Sequence, residues 1–238
     1  MCLVELHPDR SFQGLEIMIP GFTSSMMMAG SGAPMLLTLM TAITASSTSS
    51  SITIPATAQA GDIAVFSQYA FSSGGTPTAV EFSGATTVNN IAGGPSTVRR
   101  VMISYKVLTS GDIGAALTGM NSSSNLKSVR IIRPSKPITS IATSYEFGSI
   151  NSGNGSRSDT LGPPASAAAF LFARLFMELT ISITGTLPTY GDRYNENGNS
   201  DFPTWIEIQN GPTLSSRTIG QTASTGNRGN QGFCAVVT

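Results

Sequence analysis

Between Glu16 and Asp62 the chain runs for 45 residues without a charged side chain. Within that run, residues 26–45 (MMMAGSGAPMLLTLMTAITA) are mostly apolar. Such a segment is not stably solvated, so any fold of this chain must cover it with a membrane, a core or another protein. A transmembrane helix needs about 20 consecutive apolar residues. Gly30, Ser31, Gly32 and Pro34 interrupt this one, so no membrane span is expected. A secretory signal would want a basic start and a cleavage site, and would be absent from the mature protein, so a buried arm is the reading preferred. Leu36, Leu39, Met40 and Ile43 fall at i, i+3, i+4 and i+7, the stripe of a short helix. Residues 1–50 are therefore read as an extended or partly helical N-terminal arm, with those four residues as assembly contacts against a neighbouring subunit or partner. Ser46, Ser47, Thr48, Ser49, Ser50 and Ser51 form a polar hinge between the arm and a body at 51–238.

Beyond the hinge the hydrophobic period is two. Ile52 and Ile54 start a strand before Pro55, and 63–71 follows with Ile63, Val65, Tyr69 and Phe71 on one face. Residues 79–82 read as a further strand. In 98–108, Val101, Ile103, Tyr105 and Val107 alternate with Arg100, Met102, Ser104 and Lys106, an apolar-in, polar-out ribbon. Residues 129–133 end at Pro134 and Pro137. Residues 167–184 open on an apolar stretch compatible with a helix and close on a plain strand alternation. Residues 204–209 and 232–237 complete the set. Of 238 residues, 60 are Ser or Thr, 25 Gly and 13 Pro, whereas only 11% are charged, which starves helices of their usual surface formers. Short strands with turn signals about every ten residues predict a mainly β protein, an antiparallel β-sandwich of jelly-roll-like type. There is no 20–50-residue repeat, which argues against a propeller or solenoid.

The formal net charge is zero, without the basic excess that phosphate neutralisation requires, so no nucleic-acid partner is expected. Cys2 and Cys234 lie at opposite ends and His7 is the only histidine. That leaves no Ser-His or Cys-His pair in the body and no Cys/His zinc site. No nucleophile elbow, dinucleotide fingerprint or phosphate loop is present. The chain is read as non-enzymatic, with no catalytic residue, cofactor or metal assigned. Residues 191–201 are the most polar stretch. Asp192, Glu196 and Asp201 there suggest a loose calcium site, against the plainer reading of an Asn/Gly-rich loop. Tyr190, Tyr194, Asn197 and Trp205, the sole tryptophan, are the candidate contacts for a host-surface glycan, against the reading of Trp205 as a packed strand residue. No pair of acids is spaced in a way that flags glycoside cleavage. Arg99 and Arg100 with Lys106, and Arg130 with Arg133, are expected to solvate the outer faces of strands. Asn121 and Asn154 head formal glycosylation sequons.

The run from Ile103 through Ser104, Tyr105, Lys106, Val107, Leu108, Thr109, Ser110, Gly111 and Asp112, continuing to Leu117, Thr118, Gly119, Met120 and Asn121, resembles a family of small bacteriophage virion-associated proteins. The resemblance continues in Arg133-Pro134, in the segment 138–141, in the strand 205–210, in 213–219, and in Asn230, Gln231, Gly232 and Phe233 before the last strand. It covers 51–149 and 203–237. It implies a virion location and a tail fibre or baseplate appendage that meets the host surface, or else a capsid decoration protein. The partners implied are other virion proteins, and a homo-oligomer is expected, a trimer by preference. A secreted carbohydrate-binding or glycan-cleaving module is the reading from another class.

Overall fold

A computed structural model of the chain describes residues 33–45, 51–71, 78–93, 99–118, 125–152, 155–162, 168–177, 182–184, 195–196, 200–201, 204–211, 215–223 and 227–238. Residue contacts divide the chain into units Met1–Ala33 and Pro34–Thr238, and every described strand belongs to the second. The strands are β1 Leu37–Ala45, β2 Ile52–Thr53, β3 Ile63–Phe71, β4 Thr86–Gly93, β5 Arg99–Val107, β6 Ala116–Leu117, β7 Asn125–Pro134, β8 Ile141–Ser152, β9 Gly155–Leu161, β10 Ala168–Met177, β11 Ser182–Thr184, β12 Asn195–Glu196, β13 Ser200–Asp201, β14 Thr204–Gln209, β15 Arg217–Ala223 and β16 Asn227–Val237.

The antiparallel β-sandwich read from the sequence is what forms. Its connectivity is simpler than the to-and-fro of a strict jelly roll. The N-terminal half builds one five-stranded sheet, β1-β7-β3-β5-β4, and the C-terminal half builds a four-stranded sheet, β14-β10-β16-β8. A third sheet, β11-β15-β9, and the ribbons β2-β6 and β12-β13 complete the set, and every pairing is antiparallel.

Two apolar cores lie on opposite faces of the five-stranded sheet. The larger packs Leu37, Ile63, Val65, Ile103 and Ile132 of that sheet against Phe170, Phe172, Ile206, Phe233 and Ala235 of the four-stranded sheet. Phe233 is its hub, edge-on to Phe170 at 5.5 Å and stacked with Tyr105 at 6.3 Å. The second core uses the alternate residues, Ala64, Phe66, Val129 and Ile131, under Ile52, Ile54, Phe82, Leu108 and Leu117. Covering both faces removes the polar side of the central strands, which is why β3 is buried from Ile63 to Ala70.

That two-sided covering corrects several expectations. β5 is not polar-out: Met102 and Ser104 are buried along with Val101 and Ile103, whereas Val107 is exposed. Arg99 and Arg130 do not solvate an outer face. They are buried, as is Lys127, and none of the three lacks a partner. The apolar start of 167–184 is strand β10 and not helix, and its first five residues are fully covered. Residues 79–82 form no strand. The Gln68 side chain engages Val80 from both sides, donating through Nε2 to its carbonyl and accepting from its N–H, and so takes the place of a strand neighbour. The strand in this region is β4, further along.

The largest correction concerns the arm. Leu36, Leu39, Met40 and Ile43 are not the stripe of a helix, because Leu37–Ala45 is a strand paired with β7. A β-bulge between Leu39 and Ala42 inserts one extra residue and shifts the alternation, so no strict period of two runs through the strand. The compact unit begins at Pro34, so the last stretch of the segment read as an arm is part of the sandwich.

Candidate functional site

The features that set one region apart meet where β1 begins. Pro134, the last residue of β7, lies opposite Leu37. The Leu36 N–H donates to Ser135 Oγ at 2.9 Å, and the Ser135 N–H donates to the Leu36 carbonyl at 2.8 Å, which bonds Leu36 toward the β7 side. Leu37 therefore turns its backbone the other way, toward the sheet's open edge. There the Asn210 side chain receives it: the Leu37 N–H donates to Asn210 Oδ1 at 2.8 Å, and Asn210 Nδ2 donates to the Leu37 carbonyl at 2.9 Å. A single amide thus acts as one residue of a neighbouring strand and ties the edge of the first sheet to the end of β14.

Beside this clamp lies a hollow of about 660 Å³ at the mouth of the larger core. Met35, Leu36, Ala168 and Val237 give it an apolar floor, with Lys136 and Asn210 among its polar lining. Leu36, Leu39 and Met40 are exposed at 46%, 40% and 41%, large apolar side chains close together in sequence on a strand paired on one side only among the described residues. Ile43, the fourth residue of the predicted stripe, lies opposite Val129 in the β1–β7 ladder.

The charged groups whose geometry is described tie loops to strands, or one strand to another. Arg133 grips Asp62 through Nε at 2.9 Å and Nη2 at 2.8 Å, and the Gln59 N–H donates to the same carboxylate. The Asp62 hydrogen bond raises the Arg133 pKa above its ordinary value despite the opposing effect of burial. Lys106 Nζ donates to Asp112 Oδ1 at 2.6 Å, and the Thr109 N–H and hydroxyl both donate to Oδ2. Burial pushes the Asp112 carboxyl up, but these bonds together with the Lys106 charge bring it below its ordinary 3.8. Arg217 holds Glu207 in a two-pronged pair, with Nη2 at 2.7 Å and Nε at 2.9 Å.

Tyr190, Tyr194, Asn197 and Asp192 lie outside the described residues, as do Cys2, His7, Asn121 and Asn154. Glu196 and Asp201 sit in the β12–β13 ribbon, where Glu196 pairs with Ser200 and Asn195 with Asp201. Trp205 occupies the register position opposite Ala173 in β14. Cys234 is buried in β16. Among the described residues there is no cluster of three His, Cys, Asp or Glu able to hold a metal, and no helix long and apolar enough to cross a membrane. Asn210 is the residue that sequence reasoning missed, because a polar residue closing a strand reads as a turn former.

No protein-family model, curated protein or solved structure matches this chain. What the described site can do follows from its own chemistry. β1 is a charge-free strand with exposed Leu and Met side chains and, among the described residues, a backbone edge without a strand partner beyond Leu37.

Proposed function

We propose that this chain is a non-enzymatic structural protein of a bacteriophage particle. Its most direct role is a tail fibre or fibre-like baseplate appendage that is held by its N-terminal part and displays the sandwich outward. The observation that carries the reading is the edge of β1. It lies inside the charge-free run, exposes Leu36, Leu39 and Met40, and adjoins an apolar hollow, so the protein has a surface that water alone does not satisfy. The ion pairs support the same view, because Arg133–Asp62 and Lys106–Asp112 spend their charges on holding loops to strands and Arg217–Glu207 on joining β15 to β14. The resemblance of 51–149 and 203–237 to virion-associated proteins suggests the particle context.

The test is electron microscopy of particles of the virus that carries this sequence, with gold-conjugated antibody raised against residues 51–238. Label at the tail end is the expected result. Label spread over the head would replace the appendage by a capsid decoration protein. Particles without any label would overturn the virion reading.

A further inference from the structure

The edge of β1 also specifies how copies of this chain would meet, an inference that rests on the assembly reading above. Ladder parity fixes which backbone groups face outward. Leu36 is bonded toward β7, and Leu37 faces the opposite way into the Asn210 amide. Two residues on, Leu39 lies opposite Ile132, which is paired on its other side with Ile63 of β3. Past the bulge, Ala42 lies opposite Arg130 and Thr44 opposite Ser128, and both of those β7 residues have the same parity as Ile132. The N–H and C=O of Leu39, Ala42 and Thr44 therefore point to the open edge.

Charge leaves a second copy of β1 free to be the occupant. Antiparallel pairing of a strand with its own copy about a two-fold axis sets each residue opposite an identical or neighbouring one, so any charged residue near the axis would oppose itself. β1 reads LTLMTAITA, with no charge and no proline. The usual guards of an edge strand, lysine or proline on the strand, are missing. Among the described residues the guard present is the Asn210 clamp on Leu37, which blocks pairing at that residue and leaves 39–45 available.

We propose that two copies of this chain join by antiparallel pairing of β1 with β1 of the second copy over residues 39–45, which fuses their five-stranded sheets across a two-fold axis. The exposed Leu39 and Met40 are then covered at the junction, and the basic assembly unit is a dimer, not the trimer that the sequence suggested.

The test uses the 238-residue chain in a Cys2→Ser background, where the one remaining native cysteine, Cys234, is buried. Light scattering is expected to give twice the 24.7 kDa chain mass. Single cysteines placed by Ala42→Cys, Ile43→Cys and Thr44→Cys are oxidised in turn. Cross-linked dimer at one or two adjacent positions, and none for Thr38→Cys, is expected, because non-hydrogen-bonded partners across such an axis bring Cα atoms to about 4.5 Å. Leu39→Pro removes only an outward N–H, and the expected result is a folded chain of half the mass. If that variant does not fold, Ala42→Lys sets like charges near the axis, with an expected loss of at least about tenfold in dimer affinity. A stable dimer that cross-links nowhere on β1 overturns the pairing and leaves the assembly reading intact. A full-length chain that stays monomeric, with Leu39→Pro no different from its parent, means that the edge is covered within the chain and overturns both.

Discussion

Removing the Asn210 amide is the most informative perturbation of this fold. Asn210→Ala deletes two hydrogen bonds, from the Leu37 N–H at 2.8 Å and to the Leu37 carbonyl at 2.9 Å. Each bond of this kind is worth about 0.5–1.5 kcal/mol net, and an orphaned backbone group costs more if water cannot replace the partner. Here the adjoining hollow gives water partial access, so the expected loss is about 1–2 kcal/mol. For a domain of this size that corresponds to a fall in Tm of about 3–6 °C. Hydrogen exchange should place the damage: protection is lost at the Leu37 amide and kept in β3 and β5, which have partners on both sides. Asn210→Asp sharpens the case. Its carboxylate still accepts from the Leu37 N–H but turns an oxygen toward the Leu37 carbonyl, so at neutral pH it is at least as destabilising as alanine. Folding then favours the protonated acid, and the deficit shrinks as pH falls toward the ordinary carboxyl range near about 4. A Tm change under about 1 °C for Asn210→Ala, with Leu37 protection unchanged, would refute the claim that this amide stands in for a strand.

Three further outcomes test other parts of the structure. Phe233→Ala empties the hub of the larger core, where the ring is fully buried against Phe170, Phe172 and Tyr105, and thermal or denaturant unfolding should register a loss of about 3–5 kcal/mol. The Asp112 carboxyl sits below its ordinary 3.8, so its contribution is fully present above that pH and is lost as pH falls through the lower folded value. Hydrogen exchange at 109–112 should rise there, and Asp112→Asn should abolish the pH dependence of that rise. Gly61 has φ +93° with no atom within 4 Å of where a Cβ would stand, so Gly61→Ala should cost about 1 kcal/mol from backbone strain alone. An unchanged denaturation midpoint would show that the turn relaxes.

The strands most legible in the sequence are those whose alternation survives burial. Residues 63–71 and 204–209 match β3 and β14 at both ends, and 98–108 brackets β5 within a residue. Alternation fails as a guide to orientation once both faces of a sheet are covered. Met102 and Arg130 occupy positions that a one-sided ribbon would give to solvent, and nothing local to those residues announces a second layer above them. β1 was misread for a different reason. A bulge inserts one residue between Leu39 and Ala42, which breaks the period of two by which a strand is recognised. The absence of charge over 17–61, on which the proposed function rests, is visible without any structure.

What the sequence conceals most is the use of side-chain amides as substitute backbone. Gln68 accepts from the N–H of Val80 and donates to its carbonyl, Gln209 does the same for Ser215 with bonds of 2.7 and 2.8 Å, and Asn210 does so for Leu37. Each amide lies in or beside a strand and satisfies both polar groups of a residue that would otherwise need a ladder partner. In a chain poor in charge this device closes the sheets with neutral groups. It finishes the irregular segment at Val80, docks the start of β15 on β14 through Ser215, and seals the open edge at Leu37. It stops there, because beyond Leu37 the parity of β1 presents Leu39, Ala42 and Thr44 with no such amide among the described residues. An edge sealed at Leu37 and, among the described residues, bare beyond it is what the proposed pairing of β1 with a second copy requires.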